Sequence, residues 1–332
     1  MDQHICLTGI KPTGSIHIGN YFGAILPALE LAKDHKAFYF IADYHALNTI
    51  KDGAVLKEYT RGVAACWLAC GLDPSKVLFY RQSDVPQTFE LSTMLMAFSA
   101  KGLMNRAHAY KAVVAENAQA NREADFGVNM GLFTYPILMA ADILLFDATL
   151  VPVGKDQFQH IEIAADIAGA FNHNYKTDAF KIPAPLVNSD SQLIPGLDGK
   201  KMSKSYGNTI ALFQEEKALR KQIMRIVTNS QGVEEPKDPE TCNLFALYKL
   251  VATKEQQDEL ACRYKAGGMG WGEAKEALFQ ALNSKIAPMR DRYNHYISHP
   301  SEVLDILNEG AKKARAIAQK KIEALRSIIG IA

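Results

Sequence analysis

The strongest constraint on the fold is a regular alternation of short β-rich runs with longer helical patterns, which continues to about Asn208. The β-rich runs are Ile5 to Ile10, Ala37 to Ile41, Val77 to Tyr80 and Thr149 to Val153. Longer helical patterns, such as Glu58 to Cys70 and Gln157 to Phe171, alternate with them. Strands that alternate with helices in this way predict an α/β fold, a parallel sheet covered by helices.

Beyond about Asn208 only helical patterns remain, and they predict a smaller helical domain after the sheet. These patterns are Lys217 to Val227, Leu244 to Val251, Ala274 to Tyr296 and Ser301 to Ile329. Prolines and glycines concentrate before this change, and such residues favour a mobile loop. They are Pro183, Pro185, Pro195, Gly196, Gly199 and Gly207. The predicted domains are therefore residues 1–208 and 209–332.

Composition excludes several classes of protein. The 332 residues carry 37 Lys and Arg against 36 Asp and Glu, so any nucleic-acid surface must be local. The longest apolar run, Tyr135 to Phe146, contains Asp142 and is shorter than the ~20 residues of a membrane span. The start, Met1 to His4, is acidic, unlike a secretory signal, and the five cysteines are too sparse for a disulfide scaffold. These features predict a cytoplasmic protein with reduced thiols and no membrane association.

A glycine-rich loop, Gly9 to Asn20, links the first predicted strand to a helical pattern. Glycines let the backbone approach a nucleotide closely, and the amides of a helix N-terminus favour phosphate oxygens. His17 is at the predicted helix start, placed to donate a hydrogen bond to a phosphate. The spacing matches neither a dinucleotide-binding glycine motif nor a P-loop. The loop predicts a different phosphate site or, alternatively, a structural turn.

A second loop, Gly199 to Asn208, carries two lysines three residues apart, Lys201 and Lys204. Its ammonium groups can neutralise the charge that develops on a departing pyrophosphate, as a movable clamp. The alternative interpretation is a solvated surface loop.

Together, the sequences His-Ile-Gly-Asn at 17–20 and Lys-Met-Ser-Lys-Ser at 201–205 resemble the paired signatures of the class I aminoacyl-tRNA synthetases. Two short motifs in this order and in these contexts are a specific signal. The first signature commonly ends in His, and Asn20 stands there in this chain. That substitution is familiar in the tryptophan branch of the family.

A third stretch, Thr134 to Leu145, carries an isolated carboxylate in an apolar helix. At about 100° per residue, Met139 and Asp142 lie about 40° and −20° from Tyr135, so the three share one face. A buried carboxylate beside a thioether and an aromatic ring suits indole, because the carboxylate can accept a hydrogen bond from the indole N–H. The alternative is a paired core residue. The stretch resembles the corresponding helix of the bacterial tryptophan branch, whereas the tyrosine branch typically has Gln where Met139 stands.

The resemblance continues at Leu150 to His160, where a predicted strand opens into a helix. It implies that Gly154 and Asp156 face the ATP ribose and that Gln157 faces the polar end of the amino acid. Asp156 would alternatively cap a helix. His45 lies in a segment that is similar to one near the amino-acid pocket of the family.

The resemblance implies two neighbouring binding sites. The implied ATP site consists of Lys11, Thr13, Gly14, His17, Gly19, Asn20, Gly154, Asp156, Lys201, Met202, Ser203 and Lys204. The implied tryptophan site consists of His45, Tyr135, Met139, Asp142, Val151, Val153 and Gln157. The expected catalytic residues are His17, Asn20, Lys201 and Lys204. Many bacterial members have Gln at the position of Lys11, so we expect Lys11 to add a charge beside the substrates.

The resemblance also implies the fold and the activity. We expect a Rossmann-like catalytic domain, with a dimer-forming insertion at about 81–133, and a C-terminal α-helical domain that binds the tRNA anticodon. The expected reaction joins L-tryptophan to AMP, using ATP with Mg²⁺ and releasing pyrophosphate, and then transfers tryptophan to the 2′-hydroxyl of the terminal adenosine of tRNA(Trp). The expected assembly is a homodimer.

Two further features concern the C-terminal domain. A basic run is either a solvated face or part of the RNA-binding surface; it consists of Lys312, Lys313, Arg315, Lys320, Lys321 and Arg326.

Some relatives hold an iron–sulfur cluster with four cysteines in this domain, and Cys242 and Cys262 stand at the first two positions. Two thiolates cannot complete such a site, so we expect neither an iron–sulfur cluster nor zinc.

Three alternatives remain open. A tyrosine-specific enzyme shares the fold and both signatures, and Met139 argues against it because a thioether cannot donate to a phenolic oxygen. Small adenylyltransferases have a similar first loop but no second loop and no helical RNA domain. A catalytically inactive paralogue that binds tRNA or tryptophan as a regulator is opposed by the presence of His17, Lys201 and Lys204.

Overall fold

The computed structural model describes residues 4–154, 157–186 and 194–331, and these form a parallel sheet with helices on both faces. The strand order is β3-β2-β1-β4-β5, with every neighbouring pair parallel. The strands are β1 Ile5–Ile10, β2 Lys36–Ile41, β3 Val77–Arg81, β4 Leu150–Pro152 and β5 Ala184–Leu186. The predicted α/β fold and its four strands are confirmed.

The fifth strand corrects the prediction of a loop over the whole proline- and glycine-rich stretch. Within that stretch, Ala184–Leu186 pairs with β4 in parallel, and Val151 lies opposite Pro185. A proline cannot donate a hydrogen bond to a ladder, so strands that contain one lie at sheet edges. β5 is the edge strand beside β4, which is why Pro185 is tolerated there.

The helices confirm the predicted patterns, and beyond residue 208 the described chain adds no strand to the sheet. In chain order they are α1 Ile18–Asn20, α2 Leu26–Asp34, α3 Asp43–Ala46, α4 Gly53–Ala69, α5 Gln87–Met96, α6 Lys101–Asn105, α7 His108–Gln119, α8 Met130–Leu144, α9 Phe158–Tyr175, α10 Glu216–Met224, α11 Asn243–Lys249, α12 Lys254–Ala266, α13 Trp271–Ser298 and α14 Pro300–Ile329. A π-helical turn, Tyr21–Ile25, joins α1 to α2. Within the described ranges, no helix has both the length and the apolar character that crossing a membrane requires.

Each face of the sheet has its own hydrophobic core, because successive side chains of a strand point to opposite faces. In β2, Tyr39 and Ile41 belong to the core shared with α4, α10 and α13, and Phe38 and Phe40 belong to the core shared with α5, α8 and α9. A strand that is buried on both faces reads as a continuous apolar run, which explains the β-rich pattern of the sequence.

Helix α14 covers the edge strand β3 of the sheet and contributes side chains to both cores. Leu307 packs in one core, and Ala311 packs in the other. Between them, Gly310 lies so close to β3 that a Cβ atom there would be 1.8 Å from the carbonyl oxygen of Phe79. A covered edge strand cannot pair with other chains. The last helix is thus integrated with the sheet, and the predicted boundary at 208/209 stays a prediction.

The basic run on α14 divides into two groups. Arg315 donates to the carbonyl of Asp84, Lys321 pairs with Asp147, and Arg326 forms a two-point contact with Glu90. These three bases hold α14 against the sheet-bearing part of the chain. The other three are exposed: Lys312, Lys313 and Lys320.

The order in which strands are added to the sheet reverses between β1 and β4, and such a position favours a ligand site. From β1 the chain continues to β2 on one side, whereas β4 pairs with β1 on the other side. In open α/β sheets, ligands bind in the crevice at the carboxyl ends of the strands where the order reverses. The glycine-rich loop after β1 and the residues after β4 meet at this crevice.

Candidate active site

His17 and Asn20 hold each other at the start of α1. The backbone N–H of Asn20 donates to His17 Nδ1 at 3.3 Å, and the backbone N–H of His17 donates to Asn20 Oδ1 at 3.2 Å. This reciprocal pair is a capping box, which satisfies helix-terminal donors and fixes the entry of the chain into the helix. His17 and Asn20, which the sequence predicts to be catalytic, therefore also fix the conformation of the glycine-rich loop where it enters α1.

The environment of His17 favours a neutral ring. Burial, together with the nearby positive charge of Lys204, lowers the pKa of His17 to about 4. Because Nδ1 accepts a hydrogen bond from Asn20, the single proton of the neutral ring resides on Nε2. His17 therefore presents one N–H donor at neutral pH, which suits a phosphate oxygen.

The two signature loops meet in the structure although they lie far apart in the sequence. The backbone N–H of Ile18 donates to the carbonyl of Ile210 at 3.0 Å. Lys204 Nζ donates to the carbonyl of Thr13 at 3.1 Å. Lys204 is thereby held above the glycine loop, and partial burial lowers the pKa of its ammonium group. The contact places a cation beside the predicted phosphate site.

Close packing at this junction explains two of the predicted ATP-site residues. A Cβ atom at Gly19 would lie 2.9 Å from His17 Nδ1 and 3.3 Å from the sulfur of Met202, which is buried. Gly14 has φ of +108°, a conformation that disfavours other residues, and the Lys204 ammonium is 3.5 Å from where its Cβ would be. Both glycines allow the two loops to approach each other.

Asn208 organises the second loop and was not predicted as a site residue. Its buried side chain accepts from the backbone of Ser203 at 2.8 Å and donates to the carbonyl of Lys201 at 3.1 Å. It also donates to Asp198 at 2.7 Å, which lowers the pKa of that carboxyl. A Cβ atom at Gly196 would lie 2.5 Å from this amide. Asn208 thus holds together the loop that carries the exposed Lys201. The only sequence signal for this role was the presence of an asparagine in a glycine-rich loop.

Asp142 lies in a second group of residues and is only 3% exposed. Gln82 Nε2 donates to both of its oxygens, at 2.9 and 2.8 Å, and His45 Nε2 lies 3.0 Å from Oδ2. Burial raises the pKa of Asp142, and the contacts with His45 and Gln82 oppose that shift. Asp142 is therefore paired within the protein, as the alternative interpretation of the sequence predicted.

The pairing still leaves Asp142 able to accept one more hydrogen bond. An ionised carboxylate has about four acceptor positions. Gln82 and His45 occupy three of them, two on Oδ2 and one on Oδ1. Oδ1 thus retains an acceptor position for a ligand donor.

Tyr135 extends this group of residues to α9. Its hydroxyl contacts Nε2 of the buried His160, and its ring lies edge-on to His45 with centroids 6.4 Å apart. The predicted residues Tyr135, His45 and Asp142 therefore form one group. His160 was missed by sequence reasoning, and its place one helix turn beyond Gln157 was the only hint.

Three of the remaining predicted residues of the amino-acid site belong to the core on the α8 and α9 face of the sheet. Val151 is buried, and Met139 and Val153 are partly buried in the same core. The backbone N–H of Gln157 donates to the carbonyl of the exposed Gly154 at 2.9 Å. The predicted ATP residue Asp156 lies outside the described residues. Lys11 is exposed directly after β1, near the beginning of the glycine-rich loop, and its role stays a prediction.

Asp43 connects the ends of β2 and β3 and was also missed. It accepts from the backbone N–H of Ser83 at 3.0 Å, and the Ser83 hydroxyl bonds to its other oxygen. Burial raises the pKa of Asp43. Because His45 and Gln82 lie beside these two residues in the chain, the contact holds both of them at the edge where Asp142 arrives from α8.

Cys242 and Cys262, the two cysteines considered for a cluster, lie beyond residue 208. Cys242 is partly buried with its sulfur 3.9 Å from the Tyr264 hydroxyl, and Cys262 is exposed. Among the described residues, no group of three or more His, Cys, Asp and Glu side chains is arranged to hold a metal ion. The expectation of no iron–sulfur cluster and no zinc stays a prediction.

Comparisons with known proteins agree in pointing to one family. The family model described as tRNA synthetases class I (W and Y) matches residues 2–286. The chain is similar to the tryptophan–tRNA ligase of Neisseria meningitidis serogroup A, with 47% identity over 100% of this chain and 99% of that protein. It is similar to the crystal structure of tryptophanyl-tRNA synthetase from Campylobacter jejuni complexed with ADP and tryptophan, at 45% identity and a TM-score of 0.89, covering 98% and 99% of the two chains.

A structure from the tyrosine branch is also similar in fold. The crystal structure of tyrosyl-tRNA synthetase from Archaeoglobus fulgidus has a TM-score of 0.65 and 20% identity, covering 88% of this chain and 91% of that one. This likeness extends to the fold alone.

Proposed function

The chain belongs to the class I tRNA synthetases of the tryptophan and tyrosine family, and from this membership we propose that it is a tryptophan–tRNA ligase. The enzyme activates L-tryptophan with ATP and attaches it to tRNA(Trp), a step of protein biosynthesis. The parallel sheet with its crevice at the β1–β4 switch, and the helices beyond residue 208, are the architecture of this activity.

Activation is an in-line attack of the tryptophan carboxylate on the α-phosphate of ATP. Such a transfer needs no protein nucleophile, because positioning and charge stabilisation supply most of the rate. In our proposal, His17 donates its Nε2–H to a phosphate oxygen, and Lys201 and Lys204 stabilise the charge on the leaving pyrophosphate. Asn20 holds the orientation of the loop. ATP acts as its Mg²⁺ complex, in which phosphates and water supply most of the metal ligands.

Selection of tryptophan rests on one observation above all, the buried Asp142 carboxylate with an acceptor position left on Oδ1. The indole N–H is the donor that this position fits. Phenylalanine has no such donor, and a buried acceptor left unpaired costs about 1–3 kcal/mol. A tyrosine hydroxyl would need a donor where the pocket has Met139, whose thioether has none.

Amino-acid-dependent exchange of pyrophosphate into ATP tests this function directly. With Mg²⁺ and no tRNA, we expect exchange with tryptophan and none above background with tyrosine or phenylalanine, because phenylalanine has no donor for Asp142 and Met139 has no donor for a phenolic oxygen. Exchange with tyrosine would overturn the specificity. Silence with all three amino acids, from protein that is folded by circular dichroism, would overturn the activity and favour an inactive tRNA- or tryptophan-binding paralogue.

The second step transfers tryptophan to the 2′-hydroxyl of the terminal adenosine of tRNA(Trp). We propose that residues 209–332 bind the anticodon, which is single-stranded and is read through stacked bases and backbone charge. The segment 209–332 carries 19 basic and 16 acidic residues. The exposed Lys312, Lys313 and Lys320 are its candidates for phosphate contacts, since the other three bases of the run bind the protein. Because tRNA charging serves translation, we place the enzyme in the cytoplasm.

We also propose a homodimer whose interface involves residues 81–133. Large apolar side chains are exposed in and beside this segment: Met96, Phe126, Met130 and Leu47 are 48%, 58%, 68% and 43% exposed. Asn48 bonds to the carbonyl of Gly131 at 3.1 Å, which brings Leu47 to the same region. Apolar side chains exposed in neighbouring segments, as on the two sides of the Asn48–Gly131 bond, are typical of protein interfaces.

Light scattering after gel filtration measures this assembly. We expect twice the chain mass of 36.6 kDa. Met130→Asp is expected to give monomers, since a charge cannot be buried unpaired at an interface. Val233→Asp, a change at an apolar residue that is 50% exposed and lies outside the segment, should leave the dimer intact. A wild-type monomer at micromolar concentration, or equal dissociation by both variants, would contradict the proposal.

A further inference from the structure

Gln82 is a fully buried polar residue that no motif of the sequence indicates. Its side-chain Nε2 donates to Oδ1 and Oδ2 of Asp142 at 2.9 and 2.8 Å, and Oε1 accepts from the backbone N–H of His45 at 3.4 Å. The bond at Oε1 settles the orientation of the amide, because a flipped amide would point its NH₂ group at a backbone donor. Nε2 therefore faces the carboxylate.

We propose that Gln82 is a positioning residue for tryptophan recognition, which holds the Asp142 carboxylate so that its remaining acceptor position faces the indole N–H. The inference rests on the proposed function and adds to it the residue that orients the specificity carboxylate. Gln82 does not contact the amino acid in this role; it acts through Asp142.

The backbone around Gln82 is held independently of the carboxylate, so its side chain approaches Asp142 from a defined direction. Gln82–Asp84 forms a single 3₁₀ turn after β3. Arg81 bonds to Asp84 through two nitrogens, at 2.6 and 3.0 Å, and Ser83 bonds to Asp43. Because the backbone of Gln82 is held in place, its side chain can fix the plane of the Asp142 carboxylate. Donation to both oxygens leaves the carboxylate little freedom to rotate.

The chemistry of an amide fits this task better than that of other side chains. A lysine or arginine would form a full ion pair and reduce the negative charge that the indole N–H meets. A glutamate would repel Asp142, and a methionine would offer no donor. The neutral amide donates to both oxygens and leaves the carboxylate charge for the ligand. Hydrogen bonds to an ionised group also favour its ionised form, opposing the burial that raises the pKa of Asp142.

Any pH measurement must include the other groups that face Asp142. His45 from α3 contacts Oδ2, and the buried Tyr80 from β3 interacts electrostatically with the carboxylate. Tyr135 and His160 lie one contact further, on α8 and α9. All four groups are present in the wild type and in Gln82 variants, so a difference between their pH profiles reports the loss of the amide.

Gln82→Met is the informative variant, because it keeps an unbranched chain of similar size and removes both donated bonds. Gln87→Met is the matched control. It removes a glutamine five residues away, whose Nε2 donates to Gln319 at 3.0 Å rather than to the pocket. Both variants are assayed by ATP–pyrophosphate exchange, with tryptophan and with β-(benzothienyl)alanine, in which sulfur replaces the indole N–H.

We expect Gln82→Met to raise the tryptophan KM about 10- to 100-fold, the range for a lost hydrogen bond to a charged group, while the ATP KM changes less than about 2-fold. The preference for tryptophan over the sulfur analogue should fall by a similar factor, and the acid limb of kcat/KM for tryptophan should move to higher pH. In an Asp142→Ala background, Gln82→Met should have little additional effect, since the two residues act as a unit. Gln87→Met should behave like the wild type in all of these measurements.

Two outcomes would overturn the inference while leaving the proposed function intact. One is a wild type that exchanges with tryptophan alone, together with a Gln82→Met variant of unchanged tryptophan KM and unchanged analogue preference. The other is a loss in which tryptophan and ATP KM values rise equally with no change in preference, which would indicate a structural role. The absence of tryptophan-dependent exchange in the wild type would instead contradict the proposed function itself.

Discussion

Replacing Lys204 by alanine is expected to lower the rate of tryptophan-dependent ATP–pyrophosphate exchange by about 10²- to 10³-fold, the effect of removing one preorganised group that stabilises transition-state charge. Lys204 is held above the phosphate loop by its bond to the Thr13 carbonyl and acts electrostatically on His17. The charge on the leaving pyrophosphate grows as the reaction proceeds. The loss should therefore appear mainly in kcat, with a smaller change in the ATP KM.

A neighbouring lysine provides the control for this prediction. Lys200 is exposed in the same loop, and its Lys200→Ala variant removes an equal charge without removing a contact to the phosphate loop. If Lys204→Ala lost no more activity than Lys200→Ala, the effect would come from the net charge of the loop. Equal melting temperatures of the two variants would show that the comparison concerns catalysis and not stability.

Replacing Asp142 by alanine is expected to raise the tryptophan KM by about 10²-fold, with a far smaller change in the ATP KM. The variant removes the acceptor for the indole N–H and also leaves the Gln82 amide and His45 without their buried partner, an effect of several kcal/mol in related cases. Steady-state exchange assays at varied tryptophan and at varied ATP separate the two constants. Equal increases in both KM values would contradict the indole role.

The raised pKa of Asp142 predicts how the tryptophan KM depends on pH. Burial raises the pKa of Asp142 above the ordinary carboxyl value, so its ionised form is lost at a higher pH than in an exposed aspartate as the solution is acidified. The tryptophan KM of the wild type should accordingly begin to rise above the pH at which ordinary carboxylates titrate. Asp147→Asn, which changes a nearby carboxylate bound to Lys321 and outside the pocket, should keep this profile. Asp142→Asn should lose it.

Much of the fold could be predicted because a doubly covered parallel sheet leaves a direct pattern in the sequence. β2 is a continuous apolar run because both of its faces are buried, and β1, β3 and β4 contribute apolar side chains to one or both cores. β5 could not be predicted, because Ala184–Leu186 is short, lies at an edge and contains Pro185. Neither could the path of α14, because an amphipathic pattern indicates that a helix packs without indicating its partner.

The candidate site was predicted where one segment carries its own chemistry. The phosphate loop and the lysine loop are such segments, and so is the shared face of Tyr135, Met139 and Asp142, because helical periodicity alone aligns them. Gln82, His160 and Asn208 were missed. Each is a common polar residue whose function depends on a partner from another segment, and nothing in its own neighbourhood in the chain marks it.

The sequence by itself indicated the kind of chemistry, through a glycine-rich loop at a helix start, a pair of lysines in a second loop, and a carboxylate in an apolar helix. The tertiary structure alone decided which groups meet. Asp142 comes from α8 and Gln82 from the end of β3, 60 residues earlier, and they bond because the strand order places the ends of β2 and β3 against that helix. Local patterns record which side chains are buried, whereas the pairing of buried polar groups depends on distances across the folded sheet.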